Sequence, residues 1–567
     1  MVTLITVILL TGCGQVIAGT SFATTPPASA LASPSAAPSS SAPLEPPQEN
    51  PTVPPPPELR LWLSPNLPQA LQAGWQPPAG LRMEIDRAQA NLWLTIGEDS
   101  GDPLAETGWV YALAAPFPTL LDSLTADGLR QFWQGKASKE LGKGQLLVSP
   151  ETLAVLESWW GKANVRRVQV VATADLLDSA WQAGPGKAWA ILPFESIQPR
   201  WKVIRLDGIS PLDQEFDPGG YGLTVPVQIN GERAALEAAR QAKLAASLPT
   251  NRAANRLTVL ALTGVTALSR QTAETMQREG ATFPGKDIAA WLKAADLTHI
   301  SNEVSFYADC PDPGPNRRDM RFCSAPEYIQ LLESVGADII ELTGNHILDW
   351  GFKPFLDTLQ MYHQRGWQVY GGGANLSSAQ RSLLIEHNGN RLAFIGCSPS
   401  GPEPVWATLD TPGSAPCDLN ELEIRITQLR EEGWLVIVTL QQIETDGYVP
   451  AVAQGMPDFR RLASAGAVIV SGSQSHYPQT MTFVNDSFVH YGLGNLFFDQ
   501  MDLLATRQGF IDRHVFYEGR YLGVELLTTL IEDHARPRPM TPAERAAFLA
   551  TLFSLSQWSG EPTGNQP

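Results

Sequence analysis

The sequence predicts an α/β fold in two successive domains behind a disordered N-terminal tether. Three observations predict it. Short β-branched and aliphatic runs alternate with stretches at helical spacing over residues 58–248, and do so again over 256–555. A break at 249–255 (PTNRAAN) separates the two series. Ahead of both, residues 14–57 are mostly Ala, Ser, Thr and Pro with no Lys or Arg, a composition that cannot offset its ordering entropy.

The chain has 567 residues, long enough for more than one core, with 40 Lys+Arg against 58 Asp+Glu and a net charge of −18. That balance argues against a nucleic-acid partner, which needs a basic face. Beyond the N-terminus no apolar run approaches the ~20 residues that cross a bilayer. Residues 2–10 (VTLITVILL) form a short apolar run ending in Leu10-Thr11-Gly12-Cys13, which resembles the bacterial lipobox. No Lys or Arg precedes the run, a departure from the usual signal pattern. The resemblance implies that residues 1–13 are a lipoprotein signal peptide, that Cys13 is lipidated, and that the protein is held outward-facing on a bacterial membrane by a lipid and a spacer. Five cysteines are present. With Cys13 set aside, proximity favours Cys310–Cys323 and Cys397–Cys417 among three possible pairings, as suits an exported chain.

In the first domain, Leu92–Ile96 reads as a strand, 125–141 as a helix with Thr125 as its cap, and 168–173 as a strand. Trp201–Leu206 is a strand closed by the turn Asp207-Gly208, and 237–248 is a helix. The segments from Trp109 (WVYALAAPFPTLLDSLTADGLRQFWQG) and Ile191 (ILPFESIQPRWKVIRLDGISPL) resemble solute-binding-protein domains of the phosphate type. That resemblance implies a small-ligand site between two α/β lobes, or a recognition or spacer module. The second domain opens with the buried-strand run Leu257–Thr263. Helices follow at 286–295, 325–335 and 457–465, strands at 297–301, 338–343, 434–440 and 467–471, and a hairpin at 480–484 and 488–491. Residues 556–567 read as a disordered tail.

Polar residues collect where these strands end, the edge at which α/β proteins place their active groups. Asn302-Glu303 follows one strand, and Gly344-Asn345-His346 follows another, with Asp349 just after. Gly472-Ser473-Gln474-Ser475-His476 and Gly494-Asn495 end two more. The segments AADLTHISNEVS, ELTGNHILDWG, VYGGGANLSSAQ, VIVSGSQSHYPQ and HYGLGNLFFD, in this order within 256–500, resemble the CapA family of capsule and poly-γ-glutamate synthesis. The resemblance implies a four-layer α/β/β/α metallophosphatase-like sandwich. The chain departs from the family at three expected metal ligands: Val265 replaces an Asp, Gln441 or Gln442 a His, and Gln474 the first His of Gly-x-His-x-His.

Hard dications want anionic or strongly basic donors, so the resemblance leaves at most one divalent ion (Mn, Fe or Zn) on Glu303, Asn345 and His476. His346, beside Asp349, would then donate to developing negative charge as the catalytic pair of a metal-dependent hydrolase. The alternative is an amide-rich pocket in which Gln441, Gln474 and Asn495 bind sugar or peptide groups. Arg317, Arg318 and Arg321, between Cys310 and Cys323, are candidates to grip a carboxylate- or phosphate-rich substrate, or form a solvated loop balanced by Asp309, Asp312 and Asp319. His299, His363, His387, His490, His514 and His534 default to structural or surface roles. The functional expectation is synthesis, export or attachment of an anionic capsule or poly-γ-glutamate-type polymer. The alternative is a non-catalytic surface receptor for wall or capsule fragments or small solutes.

Overall fold

The computed structural model describes residues 57–97, 102–243, 248–313, 320–399, 401–441, 446–450, 458–473 and 475–558, and Cys13, Arg317, Arg318, Gln442 and Gln474 lie outside them. Residues from Pro57 onward form one unit. Its first part is organised by Ala105–Pro116, twelve residues whose later half is wholly buried. This length lets one strand take partners along both halves. Thr224–Gly231 pairs antiparallel with its start, Ala188–Pro193 with Tyr111–Ala114, and Trp201–Leu206 with Leu113–Pro116. Further strands extend both flanks to a single ten-stranded mixed sheet.

The second part holds two large sheets and a two-stranded one, Gly372–Gly373 with Gly413–Ser414. Leu257–Thr263 (LTVLALT) is buried at every position, the pattern of a central strand covered on both faces. It pairs parallel with Leu297–Asn302 and antiparallel with Gln508–Tyr517 in a nine-stranded sheet. The six-stranded sheet runs Leu383–His387, Asn390–Cys397, Leu435–Leu440, Ala467–Gly472, Ser487–His490, Met481–Val484, the last two forming the expected antiparallel hairpin. Side chains of both sheets, among them Leu260, Phe510, Phe394 and Phe488, share one core. Helices Ile329–Ser334 and Phe352–Gln364 cover the outer face of the larger sheet, and Leu419–Glu431 and Phe459–Ala465 that of the smaller. The result is the α/β/β/α layering. No described helix is long and apolar enough to cross a membrane.

Strands follow the sequence reading more closely than helices do. The helix expected over 125–141 is Ala126–Trp133, with Thr125 accepting from Gly128 N at its start. It stops because Gly135, at φ +100°, turns the chain away. The helices expected at 286–295 and 325–335 shorten to Ala289–Lys293 and Ile329–Ser334, since the tighter turns Phe283–Gly285 and Pro326–Tyr328 precede them. The strand expected at 168–173 ends at Val170, and the helix expected at 237–248 spans Arg233–Gln241.

The two parts share a core. Leu257, Val259, Val515, Tyr517 and Leu522 pack with the aliphatic residues of the ten-stranded sheet. Arg205 Nη2 lies 2.9 Å from Glu525 Oε1 across the same junction.

Candidate functional site

The parallel strands of the larger sheet deliver their ends to one edge, and glycines let the loops approach. A Cβ on Gly264 would lie 1.9 Å from the Gly494 carbonyl, and one on Gly344 would lie 2.7 Å from the Glu303 Cα. Only glycine fits at either position, so 264–265, 303, 344–346 and 494–495 are held side by side.

His346 is the centre of the first group. Its Nδ1 lies 2.7 Å from Asp349 Oδ2, which also accepts from Phe322 N at 2.7 Å. A carboxylate acceptor at that distance places a proton on Nδ1. Nε2 stands 3.9 Å from Glu303 Oε1, a buried carboxylate on the neighbouring strand end. Asp349 does not cap the following helix, whose N-cap is Gly351; it orients the imidazole. Asn345 Oδ1 is a buried acceptor with no hydrogen-bond partner among the described residues. Asn302, next to Glu303, instead donates to Tyr362 Oη at 2.7 Å and is structural.

His476 belongs to a second pair. Its Nδ1 is 2.7 Å from Asn495 Oδ1, and Asn495 Nδ2 donates to Thr506 O at 2.9 Å and Gln500 Oε1 at 3.1 Å. This again places the proton on Nδ1. The two histidines are linked by a stack the sequence reading missed. Phe322 packs on His346 with ring centres 4.4 Å apart, and Phe498 on His476 at 4.6 Å. The Arg270 guanidinium lies over both phenylalanines, at 4.9 and 4.8 Å, and forks onto Asp499. Arg270 holds a left-handed backbone, φ +50°, to do so. Beneath the site, Glu341 accepts from Thr343 Oγ1 and Ser473 Oγ, each at 2.7 Å, joining the strand ends of both sheets. Burial opposes its ionisation, yet His299, Ser473 and Thr343 together hold the carboxyl below its ordinary range. A charged residue inside the apolar run DIIELTG was the available signal for Glu341.

Two further candidates have partners of their own. Gln441 Oε1 accepts from Ser398 Oγ at 2.9 Å, beside the Cys397–Cys417 bridge. Arg321 is exposed and lies over Trp350 at 4.9 Å, which stacks on Tyr307. The Cys310–Cys323 bridge closes the loop that carries it.

Val265, where the resemblance implies a carboxylate, is fully buried in an apolar cluster with Val304, Phe322 and Phe498. Among the described residues no three His, Cys, Asp or Glu side chains gather into a group that could hold a metal ion.

Residues 259–500 match the family described as Bacterial capsule synthesis protein PGA_cap. The C-terminal region is of the CapA family. Capsule biosynthesis protein CapA of Bacillus anthracis is 22% identical over 305 residues, covering 52% of this chain and 72% of the relative. A probable polyglutamine synthesis accessory protein of Mycobacterium tuberculosis is 28% identical over 215 residues, covering 36% and 56%. PGA biosynthesis protein CapA of Bacillus subtilis is 26% identical over 178 residues, covering 31% and 46%. The CapA-family region thus accompanies a chain that spans about half the length of the latter two relatives. Among solved structures, a 5'-nucleotidase precursor from Thermus thermophilus is similar at 12% identity and a TM-score of 0.29, covering 52% of this chain and 58% of that one. An ABC-type phosphate transport receptor from Vibrio cholerae is similar at 14% and 0.25, covering 33% and 96%.

Proposed function

We propose that this protein serves in the synthesis, export or attachment of an anionic surface polymer of the poly-γ-glutamate type, and that its strand-end site binds the polymer without a two-metal centre. One observation carries the reading: a CapA-family region holds an apolar Val265 at the strand end where a carboxylate ligand is implied. The chemistry that remains suits a polyamide. Among the described residues Asn345 Oδ1 has no hydrogen-bond partner and is a ready acceptor for an N–H group, beside imidazoles and an arginine already held in place by Asp349, Asn495 and Trp350. This geometry favours binding over hydrolysis.

Calorimetric titration of the full chain with poly-γ-glutamate, beside metal analysis by mass spectrometry, tests the reading. Saturable binding is expected, weakened about tenfold by Asn345→Ala or His346→Ala, with metal far below stoichiometric even after incubation with Mn, Fe or Zn. Near-stoichiometric metal that disappears in His346→Ala and His476→Ala would replace it with a metal-dependent hydrolase. Absence of polymer binding would remove the polymer.

The chain is further proposed to be anchored, outward-facing, through a lipid on Cys13, on the strength of the Leu10-Thr11-Gly12-Cys13 motif and the spacer behind it. Incorporation of labelled palmitate in cells, lost in Cys13→Ser, is the expected result; equal labelling of both would refute it.

A further inference from the structure

A cavity of about 210 Å³ lies at the junction of the ten-stranded sheet with the C-terminal strands and helix, and none of the strand-end site's histidines or its Glu303, Asn345 and Asn495 lines it. It exceeds the ~150 Å³ of an apolar cavity that admits benzene. Phe117, Trp201, Leu526 and Leu549 supply apolar wall, so its interior favours hydrocarbon.

Its polar side is unbalanced. Among the described residues, Lys202, Arg205 and Arg545 line it with only Asp122 and Glu525, and the adjoining Arg513 and Asp213 add one charge of each sign. Every carboxylate is already shared by two cations. Asp122 accepts from Lys202 Nζ at 2.7 Å and from Arg545 Nε at 2.7 Å. Glu525 lies 2.9 Å from Arg205 and 2.6 Å from Arg513, and Asp213 2.8 Å and 2.9 Å from the same two arginines. Four cations thus share three carboxylates in a partly enclosed, largely apolar setting, where an uncompensated charge is costly. Lys202 spends two N–H groups on Thr119 O and Asp122 Oδ1, both at 2.7 Å, and an ammonium has a third. Burial pushes the Lys202 pKa down against the opposing pull of Asp122.

We infer that this cavity is a binding site for a small amphipathic monoanion, with a carboxylate head beside Lys202 and Arg545 and a short apolar tail against the Phe117–Trp201 wall. The site is made by both parts of the chain at once, so its occupant stabilises their junction.

Octanoate is the probe, compared with octylammonium and 1-octanol by calorimetric titration of the full chain. Octanoate is expected to saturate one site at least ten times more tightly than either analogue. Lys202→Gln and Arg545→Gln should each cost about tenfold in octanoate affinity. Val203→Trp, which fills the cavity from its wall, should abolish binding while the melting temperature holds. Should the charge variants fail to fold, the three probes on the unaltered protein and the Val203→Trp variant still decide. Equal affinity for octanoate and octylammonium, no saturable octanoate binding, or binding undiminished in Val203→Trp would each overturn the inference.

Discussion

Between the two sheets of the C-terminal region, His514 Nδ1 is 2.9 Å from Tyr521 Oη and fully buried, and His490 Nδ1 is 2.6 Å from an equally buried Asp512. Burial, with Asp512 opposing and His490 reinforcing it, pushes the His514 pKa from 6.5 down to about 4. The native state keeps this imidazole neutral, while the unfolded chain takes up a proton near pH 6.5. Below that pH the unfolded state binds more protons, so stability falls as pH drops from about 6.5 to about 4 and then levels off. Melting temperatures across this window should show that decline, on the order of 3 kcal/mol, and His514→Gln should flatten it. An unchanged slope in the variant would show that other groups govern it. At this scale the sequence was informative only over short distances. Asn345, His346 and Asp349 are near neighbours in one motif, and their grouping was readable. His476 and Asn495 end separate strands 19 positions apart, the Arg270 stack on Phe322 and Phe498 joins segments far apart along the chain, and no local pattern announces such contacts.

Among elements, the loop closed by Cys310–Cys323 has the clearest mechanical role. Phe322 is next to the bridge, donates its N–H to Asp349 and packs on His346, so the crosslink and the imidazole are one residue apart. Replacing both cysteines by serine should cost about 3 kcal/mol, the value for a loop of this size. It should also shift the His346 ring resonances while leaving those of His476 in place. Loss of stability without any change at His346 would mean that Phe322 is held by its neighbours alone. Strands were legible because buried parallel strands carry unbroken aliphatic runs such as LTVLALT. Helix lengths were less so. Gly135 and the tight turns ahead of Ala289 and Ile329 end or delay helices whose apolar spacing continues past them.

For the molecule as a whole, the break at 249–255 marks where one sheet system gives way to the next but not how much they share. Val515, Tyr517 and Leu522 complete the apolar core beneath the ten-stranded sheet, and Arg205 reaches Glu525 across 320 positions of sequence. Nothing in residues 58–248 alone signals that dependence, because a strand missing one neighbour has the same apolar composition as a strand that has it. The order of synthesis gives the shared core a direction. As the chain leaves the ribosome, its first 250 or so residues emerge with part of their apolar surface still uncovered, awaiting partners beyond residue 510. The part that is made first is finished last.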